Sequence, residues 1–152
     1  MQSNSVDLFP GLLLLFLALG IAGLGLITYS VSLSSGWYSL SKRFRAQAEP
    51  YGETRSAGPL LYGVQMRYRV NYGSVVRLTS ATDALYLSVL FLFRIGHPPL
   101  SIPWSEIKIR RIEFLWFRFV ALTLGEQERV SLRISKRMAA RLGILERLPA
   151  SE

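Results

Sequence analysis

His97 is the only histidine in this chain of 152 residues, and it stands in RIGHPPLSIPWSEI, residues 94–107, among Pro98, Pro99, Pro103 and Trp104. Histidine titrates near neutral pH and ligates metals readily, so acid–base or metal chemistry would begin here. A metal site needs further ligands, and the chain has no cysteine and no second histidine, which leaves carboxylates such as Glu106. Nucleophilic catalysis has no G-x-S-x-G elbow and would have to use the same histidine as its base. A phosphate loop of the G-x-x-x-x-G-K type is missing too. The expectation is therefore no catalytic residue, no metal and no cofactor; the chain is not expected to be an enzyme, and His97 is expected in a loop.

Binding chemistry is better represented. Arg67, Arg69 and Arg77 would share or neighbour one wet face if the strands carrying them pair, and such a face suits an anionic headgroup or a partner's acids as well as it suits ordinary solubility. RRIEFLWFRF, residues 110–119, mixes arginine with four aromatics. Strand cores use aromatics heavily, and the face left over makes Trp116 and Phe117 candidate docking residues.

These groups need something to hold them. LFPGLLLLFLALGIAGLGLITY, residues 8–29, carries no charge and is long enough as a helix to cross about 30 Å of hydrocarbon, which predicts a transmembrane helix behind a short tail of residues 1–7. A cleaved signal peptide is the rival, but the leading MQSNSVD has no basic residue. Ala18, Ala22 and Gly25 form a small-residue stripe suited to helix packing. Residues 30–59 read as a juxtamembrane segment and linker. Trp37 and Tyr38 fall where an aromatic belt sits, and Lys42, Arg43 and Arg45 follow as interfacial anchors. Segment 30–46 is either an extension of the helix or a piece lying on the surface. EPYGETRSAGP, residues 49–59, has the Gly and Pro content of a loop.

From residue 61 the period becomes two. YGVQMRYRVN, VVRLTS and the apolar run LYLSVLFLF at 85–93 predict an antiparallel meander. EIKIRRIEF, LWFRFVALTL and RVSLRI extend it to about six or seven strands, with a turn at Gly125–Glu128. RIGHPP is a corner between strands, and Pro103 confines LSIPW to a sheet edge or strand end, with Trp104 covering the core there. A C-terminal helix over 135–148 is predicted from Ser135 as N-cap and from Met138, Leu142, Leu145 and Leu148 along one face.

Strands followed by one helix, with LSIPWSEI, give residues 60–148 a resemblance to bacterial membrane-anchored PH-like or GRAM-like proteins of unknown role. That resemblance implies a partly open barrel of antiparallel strands capped by the C-terminal helix, and a binding role.

All eighteen Lys and Arg follow the apolar segment, so the domain is expected on the cytoplasmic side of the inner cell membrane, with the N-terminus outside. Eighteen bases against nine acids leave that portion near +9, a field that draws anionic partners. The expected object is a single-pass membrane protein whose non-catalytic domain binds a protein partner or the anionic membrane surface. An alternative is an accessory subunit of a larger membrane complex, held by its helix or as a homo-oligomer. Nucleic acid is a further alternative without any base-reading motif to support it.

Overall fold

The computed structural model describes residues 5–48, 55–57, 64–67, 70–72, 75–114 and 117–147. The long helix α1 runs Ser5–Ser35, six residues beyond the predicted end at Tyr29. Its segment Phe9–Ser35 is apolar and long enough to cross a membrane, and most of its large side chains are exposed. Past Tyr29 the hydroxyls of Ser30 and Ser34 are satisfied within the helix, bonding back to the Leu26 and Ser30 carbonyls one turn earlier.

A second helix, α2, spans Trp37–Phe44. The hinge between the two is Gly36 at φ 85°, a left-handed conformation that a side chain disfavours. A Cβ at Gly36 would also stand 2.7 Å from Val130 Cγ2, so only glycine lets the chain turn this close to the domain. Segment 30–46 is thus neither a plain extension nor a surface-lying piece: α2 buries Trp37, Leu40 and Phe44 in the core of the β domain. Each such burial removes roughly 1.5–3 kcal/mol worth of apolar surface from water.

Among the described residues, nine strands make two antiparallel sheets. The first holds β1 (Arg55–Ala57), β4 (Val76–Ser80), β5 (Ala84–Val89) and β6 (Leu100–Pro103), ordered β1-β4-β5-β6. The second holds β2 (Gln65–Met66), β3 (Val70–Asn71), β7 (Ile107–Phe114), β8 (Phe117–Leu124) and β9 (Val130–Ser135), ordered β3-β2-β9-β8-β7. Among the described residues the two sheets stay separate and form no closed barrel. Alternation accounts for the faces: in β9, Val130, Leu132 and Ile134 are buried while Ser131 and Arg133 are exposed. The core lies between the sheets, with Leu78, Leu87 and Ile102 from one and Leu122, Leu132 and Ile134 from the other.

β6 is an edge strand ending at Pro103, and Trp104 packs half-buried on the core with Nε1 donating to the Ala81 carbonyl at 2.9 Å, as the prolines required. β7 is the other long edge, and its exposed Lys108, Arg110 and Arg111 guard it against strand addition.

Three expectations are corrected. YGVQMRYRVN is not one strand: Gln65 pairs with Asn71 and Met66 with Val70, so the run folds on itself as a hairpin, and it belongs to the sheet of β7–β9 rather than to the meander β4–β5–β6. The run 85–93 is strand only to Val89, after which Phe91–Phe93 form a 3-10 turn. The C-terminal helix α3 covers only Lys136–Arg141; the chain turns left-handed at Gly143 and continues as a 3-10 turn, Ile144–Arg147, that seats Ile144 in the core. Ser135 does cap α3, accepting from Met138 N at 3.2 Å. Within the segment read as linker, Arg55–Ala57 form β1 against β4; Leu148 lies outside the described residues.

Candidate functional site at the helix–domain joint

The polar residues that come together do so where α1 enters the domain. Tyr72 Oη lies 2.6 Å from Ser35 Oγ and 2.8 Å from His97 Nε2, and all three residues are buried. The Trp37 indole closes the group, 5.7 Å from the Tyr72 ring and 5.3 Å from the His97 ring, with its Nε1 donating to the Pro98 carbonyl at 2.8 Å.

The Ile95 carbonyl lies 3.3 Å from His97 Nδ1, while Nε2 meets the oxygen of the Tyr72 hydroxyl, whose proton is donated to Ser35 Oγ. Burial holds His97 below its ordinary pKa, against weaker support for the cation from the Ile95 and Phe93 carbonyls. Burial also pushes the Tyr72 phenol up to about 12, opposed by its bond to Ser35. Both groups are therefore neutral near pH 7. The row of one histidine and two hydroxyls clamps the end of α1 to two loops of the domain.

The clamp has a second half. Ser32 Oγ donates to the Gly96 carbonyl, and a Cβ on Gly96 would stand 3.1 Å from Tyr29 Cα. Gly96, at φ 76°, thus brings the 94–97 loop against the backbone of α1. One turn further up the helix, Ile95 Cδ1 stands 3.6 Å from the position a Cβ would take on Gly25. His97, expected as a loop residue, is indeed in a loop, but one pressed onto the helix and buried.

The candidate anchors divide. Trp37 is wholly buried and so is not an interfacial belt residue, because α2 turns that face into the core. Tyr38 is half-buried, edge-on to Tyr29 at 6.2 Å, with Lys42 Nζ 4.9 Å over its ring. Arg43 is tied to the domain, with its guanidinium 2.6 Å from Glu106 Oε1 and 3.8 Å from Glu128 Oε2. Arg45 is exposed and its backbone bridges to Leu100.

The arginine face does not assemble as expected. Arg67 follows β2 in the hairpin of one sheet and its Cδ reaches Gly36, while Arg77 lies exposed on β4 of the other sheet, because the strands carrying them do not pair. Arg69 and Trp116 lie outside the described residues, as does the side chain of Phe117. In the stripe, Ala18 and Ala22 are exposed, whereas Gly25 is met by Ile95 of the same chain.

Away from the joint, a groove of about 160 Å³ runs between Ser80–Thr82 and the C-terminal turn at Leu142–Arg147. Arg147 lies over the Trp104 ring at 4.3 Å and bonds the Thr82 carbonyl at its rim. The groove presents no histidine or cysteine, and among the described residues no three His, Cys, Asp or Glu side chains gather to hold a metal.

The sequence singled out His97 and Trp37 but missed Ser32, Ser35, Tyr72 and Gly96 as their partners. A row of serines at one end of an apolar helix was the only available signal.

Against protein-family models, curated proteins and solved structures, the chain finds no match.

Proposed function

We propose that the chain is a single-pass protein of the inner cell membrane whose cytoplasmic β domain, of PH-like or GRAM-like type, performs no chemistry and acts as a binding module for the anionic membrane surface. The observation that carries this is the joint: α1 does not hand over to a loose tether but is bonded into the domain through Ser32–Gly96 and Ser35–Tyr72. A domain locked to the foot of a membrane helix stays at the headgroup layer. Arg77, Arg94, Lys42 and Arg45 are exposed there or on the adjoining elements, in a portion whose bases outnumber its acids two to one. Nearby anionic headgroups are attracted by about 1 kcal/mol per basic residue at the surface.

The test is purification of the full chain from its membrane in mild detergent, with mass spectrometry of what co-elutes. Anionic phospholipid retained at low salt and lost at high salt is the expected result, because screening removes the attraction. Neutral lipid alone would overturn it. Release of the chain from membranes by alkaline carbonate would overturn the spanning helix itself.

A second reading is favoured by the exposed Ala18 and Ala22 on the span: an accessory subunit of a larger membrane complex or a homo-oligomer. A stoichiometric protein in the same eluate would put it first, and Ala18→Leu with Ala22→Leu should then detach it.

A further inference from the structure

The segment after β5 presents an apolar cluster that the domain does not use. Phe91 is 80 % and Leu92 66 % exposed, and Leu90 and Ile95 are also exposed, while Phe93 turns inward onto the core. Soluble surfaces scatter such residues singly; a contiguous group marks a surface that something covers.

What covers it follows from where it sits. The turn is compact, closed by Phe93 N to the Leu90 carbonyl, Arg94 N to Phe91 and His97 N to Arg94. It is fastened alongside α1 by Ile95 against Gly25 and by Gly96 against Tyr29. Asp7 marks the outer limit of the uncharged run. A hydrocarbon layer of about 30 Å takes up about twenty helical residues, so counting from residue 8 it extends to about residue 27. Gly25 lies inside that limit, and Ile95, which touches it, lies at the same depth.

Resting on the spanning reading of α1, we propose that the turn Leu90–Ile95 is inserted among the lipid acyl chains of the leaflet from which α1 emerges, as a second membrane contact of the domain. Arg94, exposed within the turn, has a stem long enough to pass along the apolar surface and place its guanidinium at the phosphates. The insertion differs in kind from headgroup attraction: it is apolar and insensitive to salt. It also fixes the rotation of the domain about the helix, since the turn lies on one side of α1 only.

The absence of cysteine makes single-cysteine probes clean. An environment-sensitive fluorophore is placed at Leu92→Cys, at Phe91→Cys as a second position, at Leu19→Cys in the span and at Arg110→Cys on the exposed face of β7. Each full-length variant is reconstituted into phosphatidylcholine–phosphatidylglycerol vesicles with or without brominated acyl chains. Probes at 91 and 92 should shift to the blue and lose most of their emission to the brominated lipid, as the probe at 19 does, in low and high salt alike. The probe at 110 should be unaffected.

Probes at 91 and 92 that behave like the one at 110, while 19 is quenched, would overturn the insertion and leave the spanning helix intact. A blue shift at 91 and 92 without quenching means that protein covers the turn, and it overturns the proposal equally. An unquenched probe at 19 would take down the spanning reading and the proposal with it.

Discussion

Tyr72 Oη and His97 Nε2 meet 2.8 Å apart beneath the Trp37 ring, joining the loop after β3 to the loop before β6. Ser35, at the last residue of α1, completes the group through the same hydroxyl. Two loops and a helix end with no local reason to associate are thereby fixed to one another. Stability of the joint, and its response to pH, should follow from this row.

His97 is held below its ordinary pKa, so as pH falls the unfolded chain binds its proton first. Stability should be complete above about pH 7 and decline from about pH 6.5 downward until the folded ring is also protonated. His97 is the chain's one histidine, so the His97→Gln variant isolates its share of that limb. Thermal unfolding of the full chain in detergent, followed by tryptophan fluorescence between pH 8 and 5, checks it. His97→Gln should lower the midpoint at pH 7.5 and flatten the slope between pH 7 and 5; an unchanged slope would remove His97 as its source.

At the other end, Tyr72 keeps its proton in the folded state to about pH 12, while the unfolded phenol loses it near pH 10. The folded state then binds more protons, so stability should fall as pH rises from about 10 to 12. Tyr72→Phe should remove this alkaline loss, and at pH 7.5 it should cost about 1–3 kcal/mol for the unpaired His97 nitrogen. Alkaline unfolding curves of the two proteins provide the comparison.

Gly36→Ala should be among the most damaging single-methyl additions in the domain. It places a side chain in the left-handed region and drives its Cβ into Val130. A cost of about 1–2 kcal/mol for the backbone conformation, plus the overlap, is expected. Gly25→Ala, where the added Cβ meets Ile95 at an ordinary 3.6 Å, should be nearly neutral. Equal unfolding midpoints for the two variants would contradict the hinge.

Arg43 should matter more than a surface ion pair does. Glu128 Oε2 is buried without a hydrogen bond, and Arg43 stands 3.8 Å from it while bonding Glu106. Arg43→Ala leaves that carboxylate without its cation and should cost about 1–3 kcal/mol. Lys108, paired with Glu126 at 3.8 Å with both side chains mostly exposed, should be replaceable by alanine at little or no cost. Denaturation of both variants in high and low salt separates the cases.

Short-range chemistry made much of this molecule legible in its sequence. A run of uncharged residues this long predicts a helix apolar enough to cross a membrane, and α1 covers it. Period-two alternation marked β4, β8 and β9, and proline's missing N–H placed β6 at an edge with Trp104 beyond its end. The cap at Ser135 depends on residues three apart and was equally visible.

Where contacts join distant residues, local pattern misled. The alternation around Arg67 is as regular as that of β9, yet the chain folds back on itself there, because pairing of Met66 with Val70 is a choice about partners and not about period. Trp37 has the position of a belt residue, and only the left-handed turn at Gly36 and the approach of Pro98 bury it. The apolar run after Val89 is indistinguishable from a continuing strand until tertiary structure sets Ile95 against Gly25. Composition and period determined that there is a long apolar helix, a set of strands and a basic domain; which faces meet, and so where the domain sits against its helix, was decided by contacts some sixty residues apart along the chain, between Ser32 and Gly96 and between Trp37 and Pro98, whose energy no local window contains.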